Sequence, residues 1–330
     1  MSIANFGGSM VLAGDIGGTK TLLGLFDPIP ARPRALEVRA FGTRDFKDLQ
    51  SMTSAFLDDG VQTRRVEAAC FGVAGPVAGD SAELTNVPWR VDGRLVANAL
   101  GLGRVRLLND LEAMACSVPV LQASELHVLQ EGEALRAGNM AVIAAGTGLG
   151  QALLHKVDER FVPSPSEGGH ADFAARTDRE IVLLKKLTTR LGRVEVEQVL
   201  SGRGFVNIHL ALHGSGCAAG VDFDDPDAPA AISISALEGR CRACTETLEV
   251  FVEAYGAEAG NLALRSVSTG GLFVGGGIAP KILPALAGGS FMRAFRAKAP
   301  LESMLSRMPV KVIVNQDAGL LGAAVRAANP

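Results

Sequence analysis

Cysteine, charge of one sign and long apolar runs are all scarce in this chain, and each shortage removes a class of protein. Five cysteines in 330 residues is a small, odd number. The start of the chain, residues 1–10, has neither a basic n-region nor an apolar h-region. No signal peptide is therefore expected, and no disulfide framework either. Cys241 and Cys244 form a CxxC, but no second cysteine or histidine pair follows at zinc spacing. Residues 238–247 read as helix, which puts the two on one face as ordinary buried or half-buried thiols. The formal net charge is only −3, with no basic tract, which argues against a nucleic-acid partner or a membrane surface. No apolar run approaches the length of a membrane span. A soluble protein of the cytoplasm is the expectation.

Glycine and apolar residues are what the chain has in quantity: 39 glycines and 48% hydrophobic residues. That composition suits a compact α/β enzyme with many tight turns, and the length allows one large or two modest domains. Strands are expected at 10–14, 22–26, 67–73 and 105–108, with helices at 46–57, 94–102 and 111–116. Such alternation means a sheet covered by helices. A second part begins near Pro119. There, 178–191 reads as a helix capped by Asp178, lined by Ile181, Leu184, Leu187 and Leu191, and ended by Gly192. Residues 247–264 read as another helix and 214–231 as a surface loop. A buried strand at 272–274 runs into Gly275-Gly276-Gly277, and Pro280 suits the first turn of a helix through Leu286. A strand at 310–314 precedes Asp317, a plausible cap for a closing helix at 320–328. A closing helix of this kind packs back on an earlier domain. The expected domains are therefore 1–120 plus 314–330, and 121–313.

One short pattern occurs twice. Gly14-Asp15-Ile16-Gly17-Gly18-Thr19 follows an apolar strand and leads into a second strand, and Gly146-Thr147-Gly148-Leu149-Gly150 does the same. Glycine clusters bring backbone N–H groups close to a ligand without side-chain obstruction, as a polyphosphate requires. Each threonine adds a hydroxyl. Two such hairpins facing each other can hold a nucleotide's phosphates, which points towards phosphoryl transfer. Neither matches a commoner motif. Thr19 stands where a P-loop needs glycine before Lys20, and the second cluster precedes an extended segment rather than the helix of a dinucleotide fingerprint. Plain glycine hairpins remain the simpler alternative for each alone.

Asn109-Asp110 ends the apolar run 105–108, where a carboxylate at a strand's carboxyl end points into the crevice used by ligands of α/β sheets. Asp110 is then either a base for a hydroxyl proton or a cap for the helix that follows. Glu167-Gly168-Gly169-His170 puts a carboxylate and an imidazole on one glycine-shaped loop, able to grip vicinal sugar hydroxyls or to form half of a metal site. Glu197 is a further hydrogen-bonder, or a solvated helix residue.

At these residues the chain resembles bacterial ATP-dependent glucokinase of the proteobacterial type, within the actin-like ATPase superfamily that includes hexokinases. The matching segments are 15–19, Leu84-Thr85-Asn86 with Trp89, Asn109-Asp110, 145–150, 167–173, Glu197 with Leu200-Ser201-Gly202, and 275–278. The resemblance implies a two-domain actin-like (ribonuclease H-like) α/β fold, with mixed sheets flanked by helices and a ligand cleft between the domains. It implies Asp110 as catalytic base and Asn109, Glu167, His170 and Glu197 as glucose ligands. Gly14, Asp15, Ile16, Gly17, Gly18, Thr19, Gly146, Thr147, Gly148, Gly276 and Gly277 would bind ATP, and Asp15 would hold Mg²⁺ through water. A homodimer is also implied. Lys20, where relatives often carry asparagine, and Val87-Pro88 depart from the pattern. The zinc-binding cysteine cluster of the related repressor and kinase family is absent.

The implied reaction is ATP plus D-glucose to ADP plus D-glucose 6-phosphate, the entry to glycolysis. The rivals are a kinase for another hexose, a kinase using polyphosphate, and a non-catalytic sugar sensor on the same scaffold. A regulator of that last kind usually adds a helix-turn-helix, for which the residues before Val11 leave no room.

Overall fold

The computed structural model describes residues 9–58, 65–84, 87–103, 105–158 and 160–329. The chain divides into two compact units. One comprises Met1–Gln122, Phe161–Pro163 and Asn315–Pro330, the other Ala123–Arg160 and Ser164–Val314.

The first unit opens with the antiparallel hairpin β1 (Met10–Ile16) and β2 (Lys20–Asp27), extended by β3 (Arg34–Gly42). Alternation gives β1 two apolar faces. Leu12 and Ile16 enter one core with Leu23, Phe56 and Phe71, and Val11 and Ala13 enter another with Leu320 and Ala323. Helix α1 (Leu49–Asp58) leads to β4 (Val66–Val73), which pairs parallel with β1. Three short strands, β5 (Val77–Ala78), β6 (Ser81–Glu83) and β7 (Arg90–Asp92), form a small sheet. Asp92 then caps α2 (Gly93–Leu100) by accepting from the N–H groups of Arg94 and Leu95. The parallel strand β8 (Val105–Asn109) runs straight into α3 (Asp110–Ser117), and the sheet order is β3-β2-β1-β4-β8.

The second unit repeats this arrangement. Its sheet has the order β12-β11-β10-β13-β14-β9, built from β9 (Leu126–Gln130), β10 (Met140–Ala145), β11 (Leu149–Val157), β12 (Arg160–Ser166), β13 (Gly271–Gly275) and β14 (Val310–Ile313). Strands β10 and β11 form the hairpin, and β13 and β14 follow parallel to β10 as β4 and β8 follow β1. Its helices are α4 (Asp178–Leu191), α5 (Gly202–His213), α6 (Ala228–Leu237), the long α7 (Arg242–Ser266), α8 (Leu283–Ala287), α9 (Ser290–Arg296) and α10 (Glu302–Arg307). Phe205 of α5 stacks on Phe251 of α7 at 4.1 Å, and the fully buried Tyr255 lies edge-on to Phe251. The last helix, α11 (Ala318–Ala328), belongs to the first unit and packs on α3. Gly322 lets the two backbones touch, because a β-carbon there would collide with the Ala113 carbonyl.

Several local expectations need correction. Thr177, not Asp178, caps α4, its hydroxyl accepting from Glu180 N–H. The buried line of α4 is Glu180, Leu183 and Leu187, while Ile181 and Leu191 are exposed. Arg176 satisfies the buried Glu180 carboxylate through its guanidinium and its backbone N–H. Helix α7 begins at Arg242, so Cys241 is its cap and the two cysteines do not share a regular helix face. Residues 228–231 belong to α6 rather than to a loop. The helix after the triple glycine starts at Leu283, with Pro284 rather than Pro280 in its first turn. Asp317 stands before α11 but makes no side-chain capping bond.

Candidate active site

In the first unit, the register across β1, β4 and β8 pairs Ile16 with Val73 and Val73 with Asn109. The carboxyl ends of three parallel strands are thus level. The hairpin beginning at Gly17 and the carboxylate of Asp110 emerge from the same end of the sheet. Gly17 N–H donates to the Lys20 carbonyl at 3.1 Å, and the buried Thr43 donates from its hydroxyl to the Gly17 carbonyl at 2.7 Å. Gly18 and Thr19 are left as the accessible tip. Gly14 and Ile16 lie beneath it: a β-carbon on Gly14 would meet the Phe71 ring, and Ile16 is fully buried in the core.

Asp15 points to the opposite face, against the first turn of α11, where a β-carbon on Gly319 would meet its carboxylate. Burial, and then the charges of Asp110 and Asp317, push its carboxyl up to about 6, with Lys20 acting in the other direction. Two further carboxylates thus act on Asp15 here, and Asp317 was foreseen only as a helix cap. Asn109 Oδ1 and Asp110 Oδ1 both accept from Leu111 N–H, at 2.9 and 2.8 Å. The cap of α3 is therefore Asn109, and Asp110 is the helix's first residue. Thr85 and Asn86 of the expected sugar-side loop lie outside the described residues.

In the second unit, Gly146 N–H closes the hairpin onto the Gly148 carbonyl at 2.8 Å, and Gly202 N–H holds the Gly146 carbonyl at 2.8 Å. Gly276 has a left-handed φ of +83° and sits so close to Ala145 that a β-carbon would strike its backbone. Ile278 N–H donates to the Ala145 carbonyl at 3.2 Å. The 276–277 turn and the 146–148 hairpin, far apart in sequence, therefore abut. Gly146 and Gly277 both face open space. Gly148 does not. A β-carbon there would strike the Glu197 carboxylate, whose Oε2 accepts from Leu149 N–H at 2.8 Å. A side chain at 148 would therefore displace the Glu197 carboxylate, a constraint that the sequence, which suggested an approach to phosphate, does not show. Behind the hairpin, Ala145 N–H donates to the Tyr255 hydroxyl at 3.2 Å.

Glu167 and His170 flank a single turn, with His170 Nε2 4.0 Å from Glu167 Oε2. Gly169 seats this turn on β11, where a β-carbon would collide with the Leu149 carbonyl. The firmer partner of His170 is Glu195, whose Oε2 lies 2.7 Å from Nδ1. Arg193 holds Glu195 Oε1 at 3.1 Å and Asp172 at 2.7 Å. The hydrogen bond to Glu195, opposed by slight burial and aided by the charges of Glu197, Glu195 and Glu167, raises the His170 pKa above its usual value. Sequence reasoning missed Glu195, because only the bridge between Asp172 and Glu195 brings it to the histidine. Among the sequence-derived residues, then, Asp15 and Asp110 are neighbours in one unit. Glu197 with the second hairpin, and Glu167 with His170, form groups in the other.

The family model described as Glucokinase matches residues 12–330. The chain belongs to the glucokinase family. It is 40% identical to the glucokinase of Nostoc punctiforme over 339 aligned residues, covering 97% of this chain and 99% of that one. A crystal structure of a glucokinase from an Antarctic psychrotroph superposes with a TM-score of 0.86 at 30% identity, over 97% of this chain and 99% of the other. The fold is also shared with a ROK-family glucokinase from Streptomyces griseus solved with glucose and AMPPNP, at a TM-score of 0.66 and 22% identity, over 97% and 100% of the two chains. The expected α/β fold with mixed, helix-flanked sheets is the fold of these glucokinase relatives.

Proposed function

We propose that this glucokinase-family chain transfers the γ-phosphoryl group of ATP to the 6-hydroxyl of D-glucose. The observation that carries the reading is the level row Ile16, Val73 and Asn109, which sets a glycine hairpin beside a strand-end carboxylate in one unit. In this reading Asp110 accepts the proton of the attacking hydroxyl. Asn109, Glu167, His170 and Glu197 hold the remaining hydroxyls. With Nδ1 bonded to Glu195, Nε2 is the ring nitrogen of His170 left to address a sugar hydroxyl. Gly18 and Thr19, and Thr147 and Gly148 of the second hairpin, address the phosphates through backbone N–H and hydroxyl groups. Gly17 and Gly146 close the two turns by their own N–H bonds, and Gly14 and Ile16 shape the strand below. Gly276 and Gly277 address the adenosine.

The hard carboxylate oxygens of Asp15, beside the charges of Asp110 and Asp317, are of the donor type magnesium takes. Asp15 would hold the ion through water, and a bound ion would supply positive charge to the phosphate oxygens. The protein's share is positioning and fixed charge, with no covalent intermediate. The reading includes a cytoplasmic homodimer working at the first step of glucose catabolism, a placement that rests on the family. Among the described residues no helix is long and apolar enough to cross a membrane.

A coupled assay over a panel of hexoses and phosphoryl donors tests the proposal. Glucose with ATP should give the highest kcat/KM. A higher value for mannose or fructose, or for polyphosphate in place of ATP, would overturn the substrate assignment. Light scattering after size exclusion tests the dimer.

A further inference from the structure

Three thiols that the proposed reaction does not use meet in the second unit. Cys217, on the loop after α5, places its Sγ 3.8 Å from Cys241 Sγ and 3.5 Å from Cys244 Sγ. All three sulfurs lie within 4.8 Å of one another. Cys241 caps α7 and Cys244 sits in its first turn, so the CxxC bends around the helix start. A tetrahedral ion with metal–sulfur bonds of ~2.3 Å needs sulfurs ~3.8 Å apart, a spacing that the two separations from Cys217 already approach. Backbone N–H groups of Cys244 and Ala218 point at Cys241 Sγ, which steadies a metal-bound thiolate as it steadies a free one. Of the nearby histidines, His209 turns Nδ1 to Thr247 Oγ1 at 3.2 Å and His213 Nε2 lies 3.8 Å from Glu246. His209 Nε2 and His213 Nε2 make no hydrogen bond among the described residues, and neither ring belongs to the group of three sulfurs.

We propose that Cys217, Cys241 and Cys244 bind one thiophilic closed-shell cation, zinc(II) in the first instance, through their three sulfurs. Each sulfur loses its proton as its bond to the metal forms, so uptake releases up to three protons per ion. Soft sulfur donors select zinc or copper(I) over magnesium and calcium, which separates this site from the oxygen donors around Asp15. The convergence of three sulfurs favours a cation over a disulfide, which would join two and strand the third. The bound ion ties the 214–227 loop to the start of α7. That helix also carries Tyr255, whose hydroxyl holds Ala145 behind the second glycine hairpin.

The test uses the reduced full-length chain, stripped with a chelator. It is titrated with zinc(II) against a chromophoric chelator, and with cobalt(II) followed by absorption. One ion per chain should bind, with sulfur-to-cobalt charge-transfer absorption in the near ultraviolet, and zinc should raise the melting temperature. Cys217→Ser should weaken zinc binding by more than ~100-fold, the upper end of what losing a supporting contact alone costs, while Cys116→Ala binds as wild type does. Cys217 is only half-buried on its loop, and retained glucose phosphorylation checks that the variant folds. If it does not fold, the cobalt spectrum of the wild-type chain still decides. Wild-type protein that takes up no zinc overturns the proposal, as does a folded Cys217→Ser that takes up as much. A Cys217–Cys244 disulfide in protein that binds no metal also overturns it, and assigns the thiols to redox chemistry instead.

Discussion

Asp110→Asn removes a base while keeping its shape, and the local geometry fixes what else should change. Leu111 N–H is shared by Asn109 Oδ1 at 2.9 Å and Asp110 Oδ1 at 2.8 Å, so the start of α3 stays capped and asparagine can still accept. The stability lost is the attraction of a carboxylate for the first helical turn, about 0.3–1 kcal/mol. Against it, one of the charges that push Asp15 up to about 6 disappears. The two effects oppose, so the net change should stay within about 1 kcal/mol, a melting shift of about 2–4 °C for units of this size. Loss of a general base costs ~10²–10⁴ in rate. At 1.36 kcal/mol per decade that is about 2.7–5.4 kcal/mol of barrier, well above the stability effect. Initial rates from a coupled assay, a thermal melt, and calorimetry with glucose and with nucleotide separate the two. The expected outcome is a folded protein with near-normal binding and kcat down by at least ~100-fold. A folded Asp110→Asn enzyme retaining kcat within about tenfold would refute the base assignment, since that lies below the usual cost of losing one.

Other sites give sharper local tests. His170 titrates above its ordinary value because of Glu195. The stabilisation from that contact is therefore complete below ~6.5 and is lost as pH rises through the raised folded value. An NMR titration of the His170 ring should show its midpoint falling towards ~6.5 in Glu195→Gln, and an unmoved midpoint would disprove the link. Gly148→Ala should dislodge Glu197 from Leu149 N–H, losing a charged hydrogen bond worth about 1.5–3 kcal/mol and raising KM for glucose as well as for ATP. Gly146→Ala, which points into open space, should raise KM for ATP alone; the same pattern in both variants would contradict the geometry. Gly322→Val should force α11 off α3 at a cost of about 1–3 kcal/mol, read by calorimetry as a lower melting temperature with little change in KM.

What the sequence reveals follows burial. Strands β1, β4, β8, β10 and β13 announce themselves as apolar runs because most of their residues are enclosed. Strand β3 does not, since its pattern is inverted. Leu36 and Val38 are exposed, while Arg39 folds inward to bond Glu37 and lie over the Phe56 ring. The glycine motifs were visible because their chemistry is local. The neighbours of individual glycines were not, because a β-carbon would meet Glu197 at 148 and Phe71 at 14. Glu195, Asp317 and Cys217 gain their meaning only from partners brought together by folding. A chain read in one dimension offers no pairing of His170 with Glu195, or of Cys217 with a CxxC downstream.

Glu197 has one further consequence. Its Oε2 restrains the exit of the second hairpin through Leu149 N–H, and the same carboxylate is proposed to hold a sugar hydroxyl. A group shared in this way makes the two substrates thermodynamically conjugate. By whatever factor bound glucose alters the affinity for nucleotide, bound nucleotide must alter the affinity for glucose equally. On that proposal a hexose that failed to engage Glu197 would forfeit that cooperativity along with its own contact, and selection among sugars would be exercised partly through the nucleotide.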